Sequence, residues 1–355
     1  MRVTIKDIAE RAGVSKTTVS FAFNDPSRIS AETYKRVMAI VSELGYVPDP
    51  VARTLTTKRL GAIGLLLPQP IQEALANPYL CEIIRGIGEV CEERELALTM
   101  LPPVKGRIVE AARRAAVDAL LTIGVGPGSE VTDILERRHL PFVTIDGAES
   151  EHTVNVGVDD ESVSYALMRH ILDLGHRRIA VLALRPEFYN PPDECFSVVI
   201  DSRLAGFGRA LAERGLDFKS PGVRVVPAEG SLEGGARAGL ELLSKAEAAP
   251  TAIIAMADAA ALGVYEACKV LGLSIPRDVS VTGFDDIPLA AIAEPPLTTV
   301  HQPGREKGST AASLALRLRD GEPASHRILS AELIVRSSTA KPPLQTPAQP
   351  GARRP

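Results

Sequence analysis

Apolar side chains return every three or four positions through the first forty-odd residues, and the polar positions between them place the helix ends. Ile5, Ile8, Ala9 and Ala12 fall on one helical face, Thr4 stands where a cap belongs with Asp7 three residues on, and Gly13 ends the segment. Ser15 is placed to cap a second helix that turns Val19, Ala22 and Phe23 inward and leaves Lys16, Thr17, Thr18, Ser20 and Phe21 outside. Ser30 caps a third, with Tyr34, Val37, Val41 and Leu44 inward and Gly45 just past its end. Two short helices hinged at Gly13 and closed by a third make a helix-turn-helix. Short polar side chains at the start of its second helix suit a major groove, where they reach base edges and phosphates. A small helical bundle with no part in DNA binding is the other reading of the same pattern.

The pattern then changes. Pro48-Asp-Pro50 breaks regular structure, Val51-Ala-Arg-Thr-Leu55 holds one helical turn, and Thr56-Thr-Lys-Arg59 is polar, so this stretch is a linker, either helical or a flexible tether. From Gly61 short apolar runs alternate with amphipathic stretches. Strands are expected at Ala62 to Leu67, Ala97 to Leu101, Ala119 to Ile123 and Phe142 to Ile145, with helices at Tyr79 to Arg94, Val109 to Ala116 and Val131 to Arg138. A second series follows: strands Ile179 to Leu184, Val223 to Val226, Ala252 to Ala255 and Val279 to Gly283, with helices Ser162 to Leu174, Leu204 to Arg214, Gly235 to Ser244 and Ala260 to Leu271. This predicts two similar α/β lobes with parallel sheets. The proline-rich residues 341–355 read as disordered, and no C-terminal heptad repeat is present.

Composition narrows the function. Of 355 residues 45% are hydrophobic, enough for a buried core in two or three domains. Residues 1–60 hold ten Lys/Arg against six Asp/Glu, a net of +4, which leaves −8 on the remainder of a chain whose net charge is −4. A basic head on an acidic body favours DNA binding through one end. Cys81, Cys91, Cys195 and Cys268 form no C-x-x-C pair and no zinc spacing, and the amino terminus carries no apolar signal region, so a cytoplasmic protein with buried or incidental thiols is expected. Gly124-Val-Gly-Pro-Gly128 follows a strand, but Pro127 removes a backbone donor and the spacing is not G-x-G-x-x-G, so a glycine turn is expected and not a dinucleotide site. The doublets Asp159-Asp160 and Asp285-Asp286 follow strand-like runs where Asp commonly caps or turns. With no G-x-S-x-G, no H-E-x-x-H and six unclustered histidines, no enzyme, cofactor or metal is expected.

The chain resembles the lactose-repressor (LacI) family of bacterial transcription regulators. Beyond Thr4 to Asn24, the likeness lies in Leu44-Gly-Tyr-Val-Pro-Asp-Pro-Val-Ala-Arg-Thr-Leu55, Leu174-Gly-His-Arg-Arg-Ile-Ala180, Arg203-Leu-Ala-Gly-Phe207, Gly283-Phe-Asp-Asp286 and Pro296-Leu-Thr-Thr-Val300, in family order. The resemblance implies a head over 1–46, a hinge over 47–60 and a periplasmic-binding-protein-like body. Its first lobe is 61–155 plus 289–321 and its second 156–288 plus 322–340, the chain crossing near 156, 288 and 322. It implies DNA contacts from Thr4, Ser15, Lys16, Thr17, Thr18, Ser20, Phe21, Asn24, Arg28 and Ser30, and from Ala52 and Leu55 in the hinge, Leu55 wedging into the minor groove. Arg203 and Asp285 match the usual effector-binding pair, and Leu80, Asp146 and Gln302 match more variable cleft positions; a structural ion pair is the alternative role. A homodimeric repressor of metabolic genes is expected, binding a near-palindromic operator and a sugar, sugar derivative or nucleoside-like effector. A small-molecule receptor whose head adds little DNA specificity is the alternative.

Some positions depart from the family. Gly230 and Gly304 stand where relatives often offer an aromatic ring, and Ala257 precedes Asp258 where Asn-Asp is common. The segment 185–196 looks long, so Phe188, Tyr189 or Phe196 either supplies rings or belongs to a surface loop. Phe21 replaces a frequent arginine, and either touches a thymine methyl or packs against the third helix.

Overall fold

Residues 1–60 and 61–355 form two separate units. The computed structural model describes residues 3–47, 59–151, 153–184, 198–244 and 249–343. Ala52 and Leu55, the rings of Phe188, Tyr189 and Phe196, and most of the proline-rich C-terminal segment lie outside the described residues.

The first unit holds α1 (Ile5–Ala12), α2 (Lys16–Asn24) and α3 (Ala31–Glu43). The Thr4 backbone N–H and hydroxyl both donate to Asp7 Oδ2 at 2.8 Å, which satisfies a helix start that has no intrahelical partner. Gly13, at φ 66°, turns the chain in a left-handed conformation that a side chain resists, and the Val14 N–H closes back on Ala9 O at 3.0 Å. Ser15 Oγ then accepts from Thr18 N at 3.0 Å, and Ser30 Oγ from Thr33 N at 3.2 Å. Ile8, Val19, Ala22, Val37 and Val41 form the core, with Phe23 packed against it. A 3-10 turn at Pro26–Arg28, which periodicity does not reveal, joins α2 to α3.

The second unit holds two parallel sheets. One runs β2 (Ala97–Leu101), β1 (Ala62–Leu66), β3 (Ala119–Ile123), β4 (Phe142–Ile145), β5 (Val154–Val158) and β11 (Arg327–Leu329). A short α4 (Ile71–Ala76) precedes α5 (Pro78–Glu93). One face of the sheet is covered by α5 and α13 (Gly304–Arg319), the other by α6 (Ile108–Arg114) and α7 (Glu130–Arg137). The second sheet runs β7 (Val223–Ala228), β6 (Ile179–Leu184), β8 (Ala252–Ala255) and β9 (Ser280–Thr282). Its faces are covered by α8 (Asp160–Asp173) with α9 (Val198–Ala212), and by α10 (Leu232–Leu243) with α11 (Asp258–Val270). Continuous apolar runs such as β1 and β8 are buried along their whole length, as strands covered on both faces must be.

The chain passes between the two sheets three times, the first near the expected 156 and the other two later than the expected 288 and 322. β5 keeps residues to Val158 in the first sheet. Ala290, Leu297 and Val300 pack in the second lobe, so α12 (Pro288–Ile292) and β10 (Thr299–His301) belong there and the return comes at Gln302 to Gly304. The last crossing falls between β11, paired with β5, and β12 (Glu332–Ile334), which pairs antiparallel with β10. His176 anchors the final segment: buried, its two ring nitrogens meet Thr251 Oγ1 at 2.9 Å and Ala340 O at 2.8 Å.

Candidate functional site

In the first unit the residues expected at DNA sort by what their polar atoms already do. The Thr4, Ser15 and Ser30 hydroxyls are engaged at the helix starts, so these residues first fix the orientation of the three helices. Lys16, Thr17, Asn24 and Arg28 are exposed, while Thr18, Ser20 and Phe21 are half-buried. Thr17, Ser20, Phe21 and Asn24 share one face of α2 by helical spacing. Asn24 Nδ2 donates to Ser20 Oγ at 3.2 Å, and the Arg28 guanidinium carbon lies 5.2 Å from the Phe21 ring centroid. The outward face of α2 is therefore polar and cationic except for one ring.

In the second unit a cluster of ionisable side chains sits where the sheets' carboxyl ends converge. From the first lobe, Asp146 follows β4, Tyr79 stands in the first turn of α5 and Lys307 in the first turn of α13. From the second, Asp160 opens α8, Arg203 lies within α9 and Asp285 follows β9. Lys307 is wholly buried, and its Nζ donates to Asp146 Oδ1 at 2.5 Å, Gln302 Oε1 at 2.7 Å and Tyr79 Oη at 2.8 Å. Tyr79 Oη donates in turn to Asp146 Oδ2 at 2.7 Å, and Gln302 Nε2 to Asp285 Oδ1 at 2.6 Å. One hydrogen-bonded chain thus runs from Asp146 through Lys307 and Gln302 to Asp285, linking the lobes. Beside it, Arg203 Nε donates to Asp160 Oδ1 at 2.8 Å and Nη1 to Met256 O at 2.7 Å, with the guanidinium over the Phe284 ring at 3.5 Å.

Burial sets the charges of this cluster. Removal from water, then the neighbouring Asp258, raises the Asp285 carboxyl to about 8, against the opposing pull of Arg203 and the Gln302 hydrogen bond. Burial also raises Asp258 to about 6, although Thr299 Oγ1 donates to it at 2.6 Å. Burial pushes Tyr79 well above its usual value with Asp146 adding to the effect, and lifts Asp160 against the opposing Arg203. The shift at Asp285 favours its protonated form, and a protonated carboxyl can donate as well as accept. Asp146, Asp285 and Asp286 also adopt positive φ (53°, 126° and 58°), half of the six described non-glycine residues that do so. Strained backbone of this kind gathers at functional sites.

Two cavities meet the cluster. One of about 550 Å³ is lined by Tyr79, Asp285, His301, Gln302 and Gly304, and one of about 360 Å³ by Asp146, Asn155, Asp160 and Ser202. A Cβ added at Gly304 would lie 3.1 Å from the Tyr79 ring, so that ring stands where a side chain at 304 would project. Among the sequence-predicted cleft residues, Asp146, Gln302 and Asp285 are joined in one chain, and Arg203 is held next to it by Asp160. Leu80 is the exception: 4% exposed, it packs in the first lobe's core, because the turn of α5 points its neighbour Tyr79 toward the polar groups instead. Sequence reasoning missed Tyr79 and Lys307 and gave Asp160 no such place. Lys307 lies on the buried stripe of α13 with Ala311, Leu314 and Ala315, a stripe of mostly small residues that gives little signal in the sequence.

Comparison with known proteins agrees with both units. Residues 4–49 match the bacterial regulatory proteins of the lacI family, and residues 168–339 match the periplasmic binding protein-like domain. The chain is 32% identical to an HTH-type transcriptional regulator of Mycobacterium tuberculosis, over 96% of this chain and 98% of that protein. It is 31% identical to the HTH-type transcriptional repressor PurR of Photobacterium profundum, over 94% and 98%. Among solved structures, the lac repressor dimer bound to operator and the anti-inducer ONPF superposes with a TM-score of 0.77 at 27% identity, covering 96% of this chain and all of that one. The regulator CelR in complex with cellobiose gives 0.67 at 27% identity, covering 95% and all of that chain. With relatives above 30% identity along nearly its whole length, the chain belongs to the LacI family of DNA-binding transcriptional regulators, which join a helix-turn-helix head to an effector-binding body.

Proposed function

We propose that this regulator is a repressor that binds a near-palindromic operator as a homodimer, reading bases with the outward face of α2, and that a polyhydroxylated or heterocyclic small molecule binds between the lobes. The observation that carries this reading is the cluster of Asp146, Lys307, Arg203 and Asp285, ionisable side chains drawn from both lobes, with Lys307 and Arg203 buried and a cavity on either side. Together the cavities fall in the size range of small-molecule sites. A guanidinium, an ammonium and a protonated carboxyl offer donors and acceptors to hydroxyl or ring-nitrogen groups. Solved relatives bind cellobiose and ribose, which supports a sugar-like ligand. Arg203, Asp146, Asp285 and Gln302 are the proposed effector contacts, with Tyr79 and Lys307 beside them. Lys16, Thr17, Thr18, Ser20, Phe21, Asn24 and Arg28 are the proposed DNA contacts of the head, and Thr4, Ser15 and Ser30 present helix starts to phosphates. Leu55 is the proposed minor-groove wedge.

Selection of binding sites with the full-length protein, followed by calorimetry against sugars, sugar acids and nucleosides, tests both halves. A two-fold symmetric site is expected, and Arg203→Lys and Asp285→Asn are expected to keep operator binding while losing the response to the ligand that wild type binds. A best site without symmetry rejects the dimeric reading, and unchanged ligand affinity in both variants removes these residues from the site. Leu55→Ala is expected to weaken specific binding more than non-specific binding, since a bent complex alone uses the wedge.

A further inference from the structure

Phe21 is the one large apolar side chain on the outward stripe of α2, and the head's core does not use it. That core takes Phe23, whose ring lies 5.9 Å from Tyr46, and leaves Phe21 outside. Packing against the third helix, one of the two roles open to it in the sequence, is therefore not what the structure shows. The ring is half-buried, and the Arg28 guanidinium from the 3-10 turn lies over it, itself held by Asp25 at 3.1 Å. On the same stripe the Asn24 amide is engaged with the Ser20 hydroxyl. The centre of the face thus presents a phenyl ring flanked by polar groups already partnered within the helix, and a phenyl ring has no hydrogen bond to offer guanine or adenine.

We propose that Phe21 reads the C5-methyl group of a pyrimidine in the major groove. That methyl is the one apolar feature a base pair shows there. Thymine supplies it in ordinary DNA and 5-methylcytosine in methylated DNA, so the same contact makes binding responsive to cytosine methylation at that position. The proposal rests on α2 being the DNA-reading helix. It goes beyond that reading by assigning a base feature to a single side chain and by naming Arg28 as the group that holds the ring in place.

The test takes the selected operator and the full-length protein, and replaces each thymine of the half-sites with uracil, in symmetric pairs. Removing only the methyl at the position facing Phe21 is expected to lower affinity about fourfold per half-site, the factor that corresponds to about 0.8 kcal/mol of buried methyl. Cytosine at the same position is expected to bind more weakly than 5-methylcytosine. In Phe21→Ala both differences are expected to vanish while the thermal transition of the head stays in place, since the ring is outside its core. Thymine-to-uracil replacement without effect at every position overturns the proposal, as does a methyl preference that survives in Phe21→Ala. If uracil acts but 5-methylcytosine does not replace thymine, the methylation response is overturned and the thymine contact stands. Absence of any selected site overturns the DNA-reading role of α2 itself, a result distinct from the others because wild-type binding then fails before any base is modified.

Discussion

A lysine with no exposed surface needs its charge matched, and Lys307 has Asp146. Transferring an ammonium from water costs several kcal/mol, and removing one partner of a buried pair leaves the other charge uncompensated. Lys307→Met is expected to destabilise the body by about 3–5 kcal/mol in urea unfolding, and the double variant with Asp146→Asn to recover much of that loss. Additive losses would show that the pair acts as two separate groups. Asp285 is a further ionisable group of the cluster, and the sign of its effect follows from where it titrates. Its folded carboxyl sits at about 8 against an ordinary 3.8, so the folded state keeps a proton the unfolded state has lost. Its contribution to stability is full below the ordinary carboxylate value and is lost as pH rises through about 8; Asp258, raised to about 6, acts in the same direction. Melting temperatures of the body should fall from about pH 5 to about pH 9, and Asp285→Asn should flatten that fall. An unchanged slope in the variant would place the titration elsewhere.

Helix pairs cover each sheet by letting backbones touch, and glycine makes this possible. A Cβ at Gly308 of α13 would meet Ile83 O of α5 at 2.1 Å, and one at Gly86 of α5 would meet Arg305 O of α13 at 1.9 Å. Gly308→Ala is expected to cost at least about 3 kcal/mol in urea unfolding, the upper end for overpacking, because carbonyl backbone cannot rotate away as a side chain can. A cost below about 1 kcal/mol would mean that the helices slide apart freely. The same close packing explains what was legible in the sequence. β1, β3 and β8 announce themselves as β-branched or leucine runs, and the head's three helices by their caps. By contrast α13 buries mainly Gly and Ala, which carry little periodic contrast, so neither the helix nor Lys307 on its stripe stands out. β5 is interrupted by Asn155 and Gly157, and β10 to β12 are three residues each, too short for a pattern. In the site, Arg203 and Asp285 are visible in family motifs, and Asp146 and Gln302 as matches to more variable cleft positions. Tyr79 and Asp160 acquire meaning only when the fold brings the ends of α5 and α8 together.

At the scale of the whole molecule, charge is divided unevenly, with +4 on residues 1–60 and −8 on the rest. A body of net negative charge disfavours DNA, so the electrostatic part of binding is expected to fall mainly to the head, where Lys6, Lys16, Lys35 and Arg36 are exposed. Two heads in a dimer would make several phosphate contacts each, and counterion release makes the affinity for operator fall by about 10³ to 10⁵ between about 50 and about 200 mM salt. Within that total, Lys16 stands apart because it opens α2, where a side chain reaches a guanine edge as readily as a phosphate. We expect it to read guanine. Lys16→Ala should then relax preference at one symmetric pair of positions by about 1–3 kcal/mol and leave the salt slope nearly unchanged. Binding measured across a salt series, on the selected operator and on a shuffled duplex, separates the two roles. Equal weakening on both DNAs with a shallower salt slope would assign Lys16 to the backbone and leave guanine to be read elsewhere on α2.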